Sequence, residues 1–123
     1  MADPRRALGD MGERLAEQHL LAKGYVIRER HARTRYGEID IVAQHGETLA
    51  FVEVKTRRGR SKGSAAESLT IAKQRRLVAL AEAYAQSHDD LPPEQRIDVI
   101  AVDLAQDGLL LSLQHIENAV SGS

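Results

Sequence analysis

The chain contains no cysteine, no tryptophan, one phenylalanine and three prolines among 123 residues. Without cysteine there is neither a disulfide framework nor a thiolate metal site, a composition that fits the cytoplasm. No apolar run approaches the roughly 18 residues needed to span a bilayer. The N-terminal MADPRRALGDMGERL has no secretory hydrophobic region, so neither membrane insertion nor export is expected. Aromatic residues make up only 3% of the chain, which speaks against a base-stacking platform for single strands. Leucine, valine, isoleucine and alanine must therefore fill the core.

What is present describes a globular protein, with 42% hydrophobic and 28% charged residues. The length predicts one domain over 1–123, large enough for a single core. The net charge of −1 conceals an uneven distribution. Residues 28–76 hold twelve basic and six acidic side chains, whereas residues 77–123 hold one basic and eight acidic. A basic centre suits a polyanionic partner. The plainer alternative is that both segments present solvated charged faces.

Pro4 to Lys23 reads as a helix, with proline near its start and Gly24 just past its end. Leu8, Met11, Leu15 and Ala22 or Leu21 form its apolar stripe, with Glu13 and Glu17 on a flanking face. Tyr25 to Ala32 alternates as a strand and begins a meander of three. GRSKGSAA, residues 59–66, reads as a flexible basic loop. A second helix runs from Thr70, a plausible N-cap, to about Ser87, with Ile71, Leu77, Leu80, Ala81 and Tyr84 inward. Leu91-Pro92-Pro93 stops it. Arg96 to Leu104 and Leu109 to Ile116 follow as strands across the Gln106-Asp107-Gly108 turn. The order α-β-β-β-α-β-β predicts an α/β fold whose mixed sheet is covered by helices. Ser121 to Ser123 reads as a frayed tail.

The segment YGEIDIVAQHGETLAFVEVKTR, residues 36–57, carries the chemistry. Strand alternation places Glu38, Asp40 and Val42 on one face, opposite Ile39, Ile41 and Ala43. Phe51, Glu53 and Lys55 share a face opposite Val52 and Val54. A two-residue turn at His45-Gly46 sets Asp40 opposite Phe51 and diagonal to Glu53. A turn at Gly46-Glu47 sets Asp40 directly opposite Glu53. Either register lets both carboxylates reach one cation, whereas an odd-length loop without a compensating bulge would separate them.

Magnesium prefers oxygen ligands and commonly takes one or two protein carboxylates beside substrate phosphates. Asp40 and Glu53 suffice for Mg2+ (or Mn2+), and Lys55 would place a compact charge where transition-state charge accumulates. Glu13 could add a carboxylate, and Lys73 could approach from the second helix, although the plainer reading of each is a solvated helix residue. The competing interpretation is an exposed Glu53–Lys55 pair with Asp40 solvated. Against it, these charges interrupt strands that otherwise look buried on both faces. The histidines at 19, 31, 45, 88 and 115 show no zinc spacing. His45 reads as a turn residue and His19 as a helix-face residue. The serines cluster where no base accompanies them.

GERLAEQHLLAKGY, RYGEIDIVAQHGETLAFVEVKTR, LTIAKQRRLVALAEAY and IDVIAV together resemble the YraN-like bacterial proteins. These are in turn similar to archaeal Holliday-junction resolvases and the restriction-endonuclease-like PD-(D/E)xK nucleases. Ile39 stands where that motif's name has proline. The resemblance implies a mixed central sheet flanked by helices, with Asp40 and Glu53 as metal ligands and Lys55 as catalytic lysine. It further implies Glu13 as the helix carboxylate and the Val54 carbonyl as a metal ligand. The expected function is a metal-dependent, structure-selective endonuclease hydrolysing phosphodiester bonds in DNA, with branched structures among its candidate substrates. Arg33, Arg35, Arg57, Arg58, Arg60, Lys62 and Lys73 would contact phosphates. Symmetric cutting would need a homodimer. The alternatives are a non-catalytic nucleic-acid-binding accessory protein on the same fold and a protein-interaction adaptor.

Overall fold

The structure is a computed structural model describing residues 4–59 and 69–120. Arg60, Lys62 and the rest of the expected basic loop beyond Gly59 lie outside the described residues, as does the expected tail at 121–123. The elements are α1 (Pro4–Ala22), β1 (Val26–Thr34), β2 (Gly37–His45), β3 (Thr48–Arg58), α2 (Ile71–Ser87), β4 (Glu94–Leu104) and β5 (Leu110–Ile116). The expected order is found, and β3 runs to Arg58, where the expected loop begins.

The five strands form one mixed sheet in the order β1-β2-β3-β4-β5. The meander is antiparallel, β4 lies parallel to β3 after the α2 crossover, and β5 returns antiparallel. One helix covers each face. Ala16 and Leu20 of α1 pack with Ile41, Ala43, Ala50, Val52, Ile100, Val102 and Leu104. Leu77, Leu80, Ala81 and Tyr84 of α2 pack with Val42, Leu49, Phe51 and Ile97. Because β3 and β4 lie inside the sheet, their middle stretches Leu49–Val52 and Ile97–Val102 are buried on both faces, and removing this apolar surface from water drives the fold.

Several expectations need adjustment. The α1 stripe centres on Ala16 and Leu20, with Leu8, Met11 and Leu15 half-buried and Leu21 and Ala22 exposed. Ile71 is exposed, since α2 faces the sheet only from its second turn onward. Thr70 does cap α2, accepting a hydrogen bond from Lys73 N at 3.2 Å. Gly24, with φ 92°, terminates α1 as expected: Tyr25 N donates to Leu20 O and Gly24 N to Leu21 O, the paired bonds of a Schellman motif.

α1 approaches β3 closely at Gly12. A Cβ there would fall 1.8 Å from Thr56 Oγ1 and 2.9 Å from Thr56 Cβ, so only glycine lets the helix settle. Gly12→Ala gains helix propensity of ~1 kcal/mol but must push α1 off the sheet, typically costing ~1–3 kcal/mol. Gly12→Val lacks most of the propensity gain and adds volume. Thermal unfolding should show a lowered Tm for alanine and a larger drop for valine. An unchanged Tm for both would contradict this contact.

Candidate metal and phosphodiester site

The β2–β3 turn decides the register on which the site depends. Gly46 takes φ 59° at the first central position, and His45 pairs with Thr48. The loop is therefore Gly46-Glu47, not His45-Gly46, and the observed pairing Ile41↔Val52 aligns Asp40 with Glu53 one step further. At that step the strands part. Val54 N donates to Asp40 Oδ2 at 2.8 Å, so a side-chain carboxylate accepts from a donor that continued pairing would direct at the β2 backbone. Ile39 departs from strict alternation and joins the α2 layer instead of lying with Ile41 and Ala43. The bend occurs beside His31 of β1, a non-glycine residue with φ 52°.

The parting opens a cavity of about 480 Å3 lined by Glu38, Asp40, Glu53, Val54, Lys55, Lys73, Arg76, Leu77 and Leu80. Thus Asp40, Glu53, Lys55 and Lys73 face one cavity on the α2 side of the sheet. Lys55 Nζ lies 3.3 Å from Glu53 Oε2, with side-chain exposures of only 25% and 20%, so this is not the solvated surface pair considered as an alternative. Burial, followed by the hydrogen bond and repulsion from Glu53, pushes Asp40 up to about 8, while the Val54 N–H pulls the other way. Two adjacent carboxylates, one of them protonated near neutrality, are a crowded acid pair. Their oxygen donors suit a hard dication, whose charge would relieve the crowding. Among the described residues no group of three or more histidine, aspartate or glutamate side chains is gathered closely enough to hold a metal, so any such ion would rest on the pair with backbone and solvent oxygens.

Glu13 reaches the neighbourhood from α1 but lines a different cavity, with Asp10, Arg14, Glu17, Arg30, His31 and Ile41. His31 links it to the site, with Nε2 2.9 Å from Glu13 Oε1 and Nδ1 3.4 Å from Glu38 Oε1. Glu13 is raised by burial, opposed by His31 and reinforced by Asp10, Glu38 and Glu53, which places it within electrostatic reach of the pair. Arg33 pairs with Glu38 at 3.5 Å, and Arg35 lies 5.1 Å from the Tyr36 ring centre. Both line a cavity beside Ala83, Gln86 and Ser87 of α2. Arg57 and Arg58 stand at the far end of β3.

Sequence reasoning missed Glu38 as a cavity residue, His31 as a bridge and Arg76 altogether. The signal for Arg76 was its spacing, three residues after Lys73 and so on the same side of α2. It also missed a cluster on the α1 face. There Asp98, wholly buried, accepts from Arg96 Nε at 2.9 Å, His115 Nε2 at 2.8 Å and Asn118 N at 3.0 Å. His45 closes β2 and packs 5.0 Å from the Tyr25 ring, and His19 faces His115 at 5.3 Å.

Comparison with known proteins places these features in a lineage. The model of the Uncharacterised protein family UPF0102 matches residues 12–102, a span that includes Glu13, the diverging hairpin and Asp98. A UPF0102 protein of Roseiflexus castenholzii is 48% identical over 122 residues, covering 98% of each chain. A UPF0102 protein of Symbiobacterium thermophilum is 50% identical over 105 residues, covering 85% of this chain and 89% of its own. One of Chloroflexus aurantiacus is 46% identical over 122 residues, again covering 98% of each. The chain, whose YraN-like character was legible in its motifs, belongs to the UPF0102 family.

Proposed function

We propose that this protein is a divalent-cation-dependent endonuclease that hydrolyses phosphodiester bonds in DNA, preferring branched structures. The observation that carries this reading is the meeting of Asp40, Glu53 and Lys55 in one cavity where β2 and β3 part. Asp40, Glu53 and the Val54 carbonyl would hold Mg2+ (or Mn2+), which when bound supplies Lewis acidity toward a phosphoryl oxygen. Lys55, held beside Glu53, offers a compact positive charge to the oxygens that become more negative in the transition state. Glu13, tethered to His31 in the neighbouring cavity, would contribute negative charge from the α1 side rather than a direct metal ligand. In the reaction a water oxygen bonds to phosphorus, one P–O ester bond breaks, and the departing oxygen takes a proton. Arg33, Arg35, Arg57 and Arg58, together with Arg60 and Lys62 of the loop, would track the phosphates without reading bases. Symmetric cutting of a branched substrate calls for two such sites in a cytoplasmic homodimer. No helix among the described residues is long and apolar enough to cross a membrane.

The test is to incubate the protein with labelled four-way-junction, flap, single-stranded and duplex DNA in Mg2+ or Mn2+. Cutting that disappears in EDTA and with Lys55→Ala supports the enzyme. Binding without cutting, unaffected by that substitution, would leave the accessory role. Absence of binding at low salt would leave the protein adaptor.

A further inference from the structure

Arg76 carries a charge that no described residue pairs with. It is exposed on α2, lines the cavity with Asp40, Glu53 and Lys55, and makes no hydrogen bond or ion pair with the described residues. Each carboxylate of that cavity is already engaged. Glu53 faces Lys55, Asp40 holds the Val54 N–H, and Glu38 lies between His31 and Arg33.

Yet Arg76 is not simply adrift in solvent. Its guanidinium lies across Gly37, where a Cβ would come within 2.8 Å of Nη2 and 3.7 Å of Cζ. Gly37 also has φ 134°, a backbone region that disfavours any side chain. The first residue of β2 therefore meets two demands at once: a turn conformation and a slot for the arginine. The slot sets a planar, permanently charged group with five donors on the lining of this cavity, where it makes no hydrogen bond or ion pair with the described residues. A guanidinium so positioned matches a phosphate, whose paired oxygens accept two parallel N–H bonds.

We propose that Arg76, seated on Gly37, is the phosphate anchor of this cavity, clamping a backbone phosphodiester of the nucleic acid next to the one presented to Asp40, Glu53 and Lys55. This rests on the nucleic-acid reading above and adds to it the residue that sets where the backbone enters. Arg75 is the natural control: it is adjacent, exposed and equally charged, but does not line the cavity.

The experiment measures binding of a fluorescent four-way junction by anisotropy in Ca2+ across a salt series, for wild type, Arg76→Ala, Arg76→Lys and Arg75→Ala. Arg76→Ala should weaken binding ~10-fold and flatten the salt slope by about one. Arg76→Lys should restore the slope while remaining ~3-fold weaker, because an ammonium neutralises the phosphate without the two-pronged geometry. Arg75→Ala should stay within ~2-fold of wild type. If wild type binds and Arg76→Ala equals either wild type or Arg75→Ala, the anchor is wrong while the nucleic-acid reading stands. If wild type binds no DNA at low salt, the nucleic-acid reading falls and takes the anchor with it.

Discussion

Replacing Asp40 by asparagine is expected to lower the proposed DNA cleavage by roughly a thousandfold or more while making the metal-free protein more stable. The two effects have one cause. Asp40 is half-buried beside Glu53, and burial followed by that neighbour raises it to about 8. In the unfolded chain it titrates near ~3.9. A group raised on folding contributes stability that is complete below its unfolded value and is lost as pH climbs through its folded value. The penalty for Asp40 therefore grows between about pH 4 and 8. Asparagine does not titrate, so in EDTA the Tm advantage of Asp40→Asn should be small near pH 4. It should widen toward pH 8, reaching on the order of 1–3 kcal/mol, or roughly 4–12 °C. Excess Mg2+ should narrow the gap by binding folded wild type in preference to the variant. A Tm difference that does not vary with pH would show that Asp40 is already ionised in the folded protein. A variant that still cuts would remove Asp40 from the reaction.

Asp98→Ala should produce the largest loss of stability of any single change considered, about 3–5 kcal/mol, or roughly 12–20 °C in Tm. Asp98 is fully buried and anchors three different places: Arg96 within β4, His115 of β5 and the Asn118 backbone beyond it. Truncation removes the acceptor and strands these donors in a space that water cannot readily fill. Asp98→Asn keeps the shape and should cost less, since Arg96 retains Glu117 at 3.6 Å as a second partner. The pH dependence runs opposite to that of Asp40. Burial pushes the Asp98 carboxyl up, but His115, Arg96 and the Asn118 N–H outweigh it and hold the group below its ordinary value. Its contribution is thus complete above the unfolded value of ~3.9 and disappears as pH falls through the lowered folded value. Urea unfolding should show the full gap between wild type and Asp98→Ala at neutral pH and a shrinking one below pH 4. A cost under ~1 kcal/mol at pH 7 would mean that the cluster contributes no more than surface pairs do.

The parts of this molecule legible from residue order are those governed by near neighbours. Gly24 ends α1 because a left-handed residue closes its last turn, and Thr70 starts α2 because its hydroxyl satisfies a free N–H; both are decided within a few residues. Alternation likewise showed that Asp40 and Glu53 could share a face. It could not choose between turns one residue apart, because both use Gly46. Arg76 was overlooked since its relevance depends on Gly37, thirty-nine positions earlier in the numbering, leaving room for a guanidinium. The Asp98 cluster was overlooked for the same reason: His115, Asn118 and Tyr25, whose hydroxyl accepts a hydrogen bond from Arg96, converge on β4 only when the sheet assembles.

Local patterning thus established the element order, the two-faced sheet and the acidic hairpin with its lysine, because period, caps and turns act over a few residues. Tertiary packing alone selected the Gly46-Glu47 register and separated β2 from β3 so that Asp40 could accept from Val54. It also left Glu13 behind His31, in a neighbouring cavity rather than beside the pair. These outcomes depend on which distant surfaces exclude water together, and no short stretch of the chain contains that information.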